Sequence, residues 1–326
     1  MSASNDNIDP KELLLLLESG AKEYRCGEYL YHLDALYRQQ IYQNLEIERL
    51  RRKYLQIREI YQFSGQDWNQ TFLVYFLRYL SDEANRKNFM EIGFRIGFKA
   101  ILRERASLRN LEALFIAASG LIDTLPRDSF TDKLRKDVEY MIHKYQINPI
   151  SKEEWIRRRM MPAKEPILRL VQVARLFHEN DLIFNKLISC RTREDIFNLF
   201  NVPALSEWSR YYGETRVRRI GVEKCDLIGI NFVVPMLFAY GHYTSSDELV
   251  SAANELNEML PAESNRYITK WRGCGLTPTS AYETQALIQL STEYCKKLDC
   301  ARCHVYRHML SKGSILGNMP SFIEPH

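Results

Sequence analysis

Between Glu28 and Tyr61 the chain has neither proline nor glycine, and Leu30, Leu33, Leu36, Tyr37, Ile41, Leu45, Leu50, Tyr54, Ile57 and Tyr61 return every three or four residues. Apolar positions at that spacing share one face of a helix, so the segment predicts one long helix or a closely joined pair. Similar stripes run through Trp68 to Leu80, Leu108 to Ile122, Ile167 to Phe177, Leu249 to Leu260 and Ala281 to Tyr294. No sustained alternation of polar and apolar positions competes with them, which argues against a substantial sheet. The expected fold is mostly α, a multi-helix globular array with little or no sheet.

Polar punctuation supports this. Ser151 with Glu154, Thr192 with Asp195, Ser245 with Glu248 and Ser280 with Glu283 place an acid three residues after a hydroxyl, the spacing at which the two side chains cap each other's backbone N–H groups. Asp9, Pro10 and Glu12 mark a further helix start near the N-terminus. Two prolines interrupt the charged stretch Met160 to Pro166, and a proline disfavours helix at the residue before it. The expected division is an N-terminal helical region, 1–160, and a C-terminal helical region, 161–326, ending in a cysteine-rich segment, with a single domain as the alternative.

Composition narrows the class of protein. With 45% hydrophobic and 26% charged residues among 326, the chain is an ordinary globular one. Its 45 basic and 41 acidic side chains leave a net charge of +4, so any polyanion site must be local. The Leu13 to Leu17 run has acidic Asp6, Asp9 and Glu12 where a leader needs positive charge. The apolar run Ile228 to Tyr240 contains Pro235 and, at 13 residues, falls short of the roughly 20 needed to cross a bilayer. Seven cysteines without a leader read as reduced thiols in a cytoplasmic protein that does not engage a membrane.

Several blocks carry a family resemblance. QDWNQTFLVYFLRYL at Gln66 to Leu80, NLEALFIAASGLI at Asn110 to Ile122, IGINFVVPMLFAYG at Ile228 to Gly241, PAESN at Pro261 to Asn265, and TQALIQLSTEYC with CARC at Thr284 to Cys303 follow in that order. They resemble the C-terminal region of an uncharacterised bacterial family, domain of unknown function 2851, over roughly Asn44 to Leu310. In longer members the resemblance implies an N-terminal part similar to a restriction-endonuclease-type core, with a Gly-Pro-Asp-Phe and a Val-Glu-Ile-His block. Neither block occurs here, so no carboxylate and metal nuclease chemistry carries over. RMMPAKEP at Arg159 to Pro166 also departs from the family's Arg-Leu-Arg-Pro-Ala-Asn-Phe-Pro: Met161, Lys164 and Glu165 stand where arginine, asparagine and phenylalanine are expected.

The sharpest chemical feature is the C-x4-C-x2-C arrangement of Cys295, Cys300 and Cys303. Thiolates two to four residues apart can converge on one ion, as in zinc knuckles. A fourth ligand would come from Cys274, His304 or His308. An iron-sulfur cluster fits less well, because no cysteine follows Cys303. A redox pair and plain reduced structural thiols are the alternatives.

Two basic groups are candidates for phosphate contacts. Arg157, Arg158, Arg159 and Arg169 follow Trp155, which could stack on a base. Arg216, Arg218 and Arg219 follow Trp208, Tyr211 and Tyr212. Glu153, Glu154 and Glu165 interrupt the first group, and a solvated, ion-paired face is the commoner explanation of such runs. The aromatics read as core. Asn231, four residues before Pro235, reads as a buried amide near a disturbed helix turn, and the scattered His32, His143, His178 and His242 read as structural.

No phosphate-loop, serine-hydrolase or zinc-protease motif is present. The expectation is therefore a non-enzymatic intracellular helical binding or scaffold module with a protein or nucleic-acid partner, its cysteines holding a structural metal, zinc before iron-sulfur. The alternatives are a nucleic-acid-binding accessory subunit whose catalysis is supplied elsewhere, and a thiol redox protein.

Overall fold

Capping chemistry fixes several helix boundaries in the computed structural model, which describes residues 24, 26–157, 165–209, 211 and 219–314. Helices α1 (Gly27–His32) and α2 (Ala35–Phe63) are a closely joined pair. They part at Leu33, which is extended, and Asp34 accepts from the Leu36 N–H at 2.9 Å. The Asp67 carboxylate accepts from the N–H groups of Asn69 and Gln70 and starts α3 (Trp68–Leu80). After it come α4 (Arg86–Ile96), α5 (Phe98–Glu104) and α6 (Leu108–Ser119). Helix α7 (Ser129–Tyr145) begins on a reciprocal Asp128 and Thr131 box, and α8 (Pro166–Glu179) on a proline whose missing N–H would have been unpaired there anyway.

Next come α9 (Ile183–Ile188), α10 (Arg193–Phe200), α11 (Ser206–Ser209) and α12 (Val222–Ile228). Helices α13 (Val234–Thr244), α14 (Asp247–Met259), α15 (Arg266–Gly273), α16 (Ala281–Gln289) and α17 (His304–Ser314) are the last among the described residues. The expected caps at Thr192 and Ser280 are in place, while at Ser151 the Glu154 carboxylate accepts the Ser151 N–H at 3.3 Å and the Ser151 hydroxyl donates to Glu153 instead. At the fourth, Ser245 takes a left-handed conformation that closes α13, so it is Ser246 that caps α14 through the Leu249 N–H. The Asp9 helix start lies outside the described residues.

Pro235 shapes the run before it. A proline cannot donate to the preceding turn and its ring crowds the carbonyl there. The chain widens into a π-helical turn over Gly229–Val233, with the Val234 N–H reaching the Gly229 carbonyl, and Asn231 lies half-buried inside it. Among the described residues the only β pairings are the isolated bridges Pro203 with Arg219 and Pro261 with Ser280, so the fold is all-α. None of the described helices is long and apolar enough to cross a membrane.

The chain divides into two compact units, one formed by residues 1–51 with 261–326 and the other by 52–260. This partition differs from a boundary near 160. Within the second unit α6 packs on both α7 and α8, so packing carries across the proline-containing stretch, of which 158–164 lie outside the described residues. The core of this unit is aromatic: Phe72, Phe76, Phe200 and Phe232 are fully buried, with ring centroids 5.1 Å apart for Phe72 and Phe232 and 5.2 Å for Phe76 and Phe200. Buried Asn85 and Asn88 anchor the loop after α7. Asn85 exchanges two hydrogen bonds with the Ile156 backbone and Asn88 donates to the Glu154 carbonyl, each at 3.0 Å.

Two positions in this unit yield predictions. Gly120 ends α6 with φ +67°, and a Cβ added there would lie 2.0 Å from the Ile150 carbonyl oxygen. Gly120→Ala should cost more than the roughly 1–2 kcal/mol of a left-handed alanine alone, read as a lowered urea midpoint with an unchanged slope. Glu112 is buried, accepts the Trp208 indole N–H at 2.8 Å, and burial pushes its carboxyl up to about 7. A raised carboxyl favours the folded state fully below the ordinary carboxylate range, and that contribution is lost as pH rises through about 7. Glu112→Gln keeps the acceptor and stays neutral, so its melting temperature should gain on wild type between pH 5 and 8, by up to about 3 kcal/mol in stability. A difference that does not change with pH would contradict this.

Candidate functional site: a thiol cluster beside a polar cleft

In the unit formed by the two ends of the chain, the cysteine segment is placed by an irregular helix. After α16 the helix widens into a π-helical turn over Leu290–Cys295, with the Lys296 N–H on the Ser291 carbonyl. Ser291 is buried and its hydroxyl donates to the Leu287 carbonyl at 2.7 Å while accepting the Trp271 indole N–H at 2.8 Å. Beyond Cys295 the backbone turns through Leu298, at φ +54°, and the Cys303 N–H closes a tight turn on the Cys300 carbonyl at 3.0 Å. Cys303 then opens α17, its carbonyl accepting from the Arg307 N–H at 2.9 Å. Cys300 is exposed, Cys295 half-buried and Cys303 buried.

The sequence reading did not include Cys26, which the fold brings to this segment. It sits at the turn before α1, half-buried, where the Gly27 N–H bonds the Tyr24 carbonyl. Cys26, Cys295 and Cys303 belong to one apolar cluster with Tyr24, Trp271, Leu287 and Val305. Every pairing among Cys26, Cys295, Cys300 and Cys303 is close enough for the charge of one thiolate to oppose the other. Burial, reinforced by these neighbours, pushes the Cys26 thiol up to about 12 and raises Cys295 and Cys303 as well.

Of the three fourth-ligand candidates, the two histidines have other partners, whereas the Cys274 sulfur packs against Gly27, next to Cys26 and in the same apolar cluster, where an added Cβ would come within 2.5 Å of it. The His304 Nε2 lies 2.7 Å from Glu48 Oε1, and the His308 Nδ1 lies 2.7 Å from the Tyr29 hydroxyl. Among the described residues no three histidine, cysteine, aspartate or glutamate side chains already surround a common ion position.

Beside the thiols lies an open cleft of about 410 Å³. Glu48 is fixed in its wall by His304 and by the Tyr294 hydroxyl, which donates to Oε2 at 2.7 Å. The other charged walls are Glu293, Lys297, Asp299, Arg302 and Arg307. Three carboxylates thus face three permanent cations and one histidine. Neither Glu48 nor Tyr294 stood out in the sequence, since their partner residues are some 250 positions away along the chain.

The basic groups are less open than their sequence suggests. Arg157 pairs with Glu165 at 2.6 Å, Arg169 is buried and donates to Gln172 at 3.0 Å, and Arg219 donates to the Asn201 side chain at 2.6 Å. Arg158, Arg159, Arg216 and Arg218 lie outside the described residues. Trp155 is buried with its indole N–H on the Ser119 carbonyl at 2.9 Å, and Trp208 is buried on Glu112, so both are core and neither is free to stack on a base. The 52–260 unit also holds a Tyr79 hydroxyl that accepts from Lys53 at 2.5 Å. Burial raises this phenol, but Lys53 and Arg78 outweigh it and bring it down to about 7.

Residues 9–266 match the family described as Protein of unknown function (DUF2851), and the chain belongs to that family. Cys26 falls inside the matched span, and Cys295, Cys300 and Cys303 beyond it. No curated protein and no solved structure matches the chain.

Proposed function

We propose that this member of a family of unknown function is a non-enzymatic helical binding module, which holds a protein partner's mixed-charge segment in the cleft beside Glu48 and uses its clustered cysteines as structural groups. The balance of charge in the cleft carries this reading. Glu293 pairs with Lys297, Asp299 with Arg302, and Glu48 is held by His304 and Tyr294, while Arg307 adds a further cation, so the wall presents both signs and suits a peptide of mixed charge. A phosphate backbone would meet three carboxylates there, at a repulsive cost. The internal bonding of Arg157, Arg169 and Arg219 weighs in the same direction, against a nucleic-acid accessory role. Burial also speaks against a thiol redox catalyst. A nucleophilic cysteine needs a lowered pKa, whereas Cys26 is pushed up to about 12.

Selection from a random peptide library displayed on phage should yield sequences of mixed charge, and Arg307→Glu should weaken their binding about tenfold or more, as expected for loss of a charge pair. Fluorescence anisotropy with single-stranded RNA and DNA should show no saturable binding at physiological salt. Saturable binding that falls steeply with salt, and that is reduced when Arg157, Arg158 and Arg159 are all changed to alanine, would overturn the reading in favour of a nucleic-acid partner.

A further inference from the structure

We infer that α17 is a pH-sensitive latch on the cleft, docked on α1 and α2 through a neutral His308 and released when that imidazole gains a proton. This rests on the binding reading of the cleft and adds its regulation. Helix α17 supplies His304 and Arg307 to the cleft wall, so whatever frees the helix also takes that wall apart. Its Val305 and Met309 are buried in the apolar cluster with Leu30 from α1 and Ile41 and Leu45 from α2. His308 lies at the edge of this contact, half-buried between the same helices.

The surroundings of His308 suit an uncharged ring. Its Nδ1 lies 2.7 Å from the Tyr29 hydroxyl on α1, and its ring centroid lies 5.0 Å from that of Tyr37 on α2. The Nε2 is buried and has no hydrogen-bond partner among the described residues. From its own helix Lys312 adds a positive charge, with Nζ 4.9 Å from the Tyr37 ring centroid. The groups that face the ring from α1 and α2 are thus two phenols, and no carboxylate among the described residues pairs with it. A proton would leave a buried N–H without an acceptor, on a cation beside an ammonium. Burial, with Lys312 second, accordingly holds His308 below the ordinary imidazole value.

The sign follows from linkage. Protonation is easier once α17 has left, so the docked contact counts in full above about pH 6.5, where the free ring is neutral, and is lost as pH falls through the lowered value of the docked ring. His304 acts in the opposite sense, since a proton there would tighten its 2.7 Å contact with Glu48.

Hydrogen exchange of the full-length protein, corrected for the intrinsic pH dependence of amide exchange, reads the docking of α17 directly. Between about pH 7.5 and about pH 5 its amide protection should fall roughly three- to tenfold in wild type, and further in His304→Gln, where the opposing contact is removed. His308→Gln keeps a hydrogen-bonding partner for Tyr29 and has no proton to gain, so its protection should hold. Unchanged protection in His304→Gln, or the same fall in His308→Gln as in wild type, would overturn the latch. Should His308→Gln fail to fold, the ring protons of wild-type His308 decide by NMR: the ring must titrate below free imidazole, and titration at or above that range overturns the proposal. A mixed-charge peptide from the phage library should lose affinity over the same pH range in wild type and lose less in His308→Gln. Equal losses in the two would overturn the regulation, whereas failure to select any peptide at about pH 7.5 defeats the binding reading alone and leaves the exchange result to decide the latch.

Discussion

The burial of Trp271 is the constraint on which the thiol cluster depends. Its indole ring is fully buried against Tyr24, with ring centroids 4.2 Å apart, and its N–H reaches both the Ser291 hydroxyl and the Leu287 carbonyl. One side chain from α15 therefore holds the turn carrying Cys26 and the helix leading to Cys295. Burying an aromatic of this size supplies several kcal/mol of apolar transfer, and leaving its N–H unpaired in the interior would cost about 1–3 kcal/mol. Both favour one arrangement of these segments.

The same hydrogen bonds bear on the π-helical turn. The Leu287 carbonyl accepts from the Ser291 hydroxyl and from the indole, so the ordinary helical ladder faces competition at that turn. The extra residue of a π turn rotates everything after it by about 100°, one residue's share of a helical turn. Cys295 is thus presented on a different face from the one an unbroken α-helix would give it. Around Pro235 the origin is simpler, since there the missing donor lies within the helix itself.

What could be read from the sequence was local. The hydroxyl and acid pairs at Thr192 and Ser280 state their helix starts within four residues, and the proline at 166 and the glycine at 120 state a start and a stop. Ser245 and Ser246 show the limit of such signals: two adjacent serines offer the same side chain, and the left-handed close of α13 decides which becomes the cap. Trp155 stands beside a basic run in sequence and could have stacked on a base, but Asn85 just before α4 and Asn88 and Phe89 on it turn that loop into core. The division at 51 and 260 was illegible for a related reason. It follows which helices pack together: no proline or change of composition marks Arg51, and Pro261 at the other boundary looks in sequence like any other helix break.

Cys26 could not be found by spacing, because nothing local distinguishes a cysteine before a glycine from any other thiol. Its significance comes from electrostatics in three dimensions. Cys26, Cys295 and Cys303 are partly or fully withdrawn from water, and burial together with the neighbouring thiols keeps them protonated. In that form they are apolar in character and pack with Leu287 and Val305. The core of this unit therefore draws on them as small hydrophobic side chains that join the turn before α1 to the segment between α16 and α17.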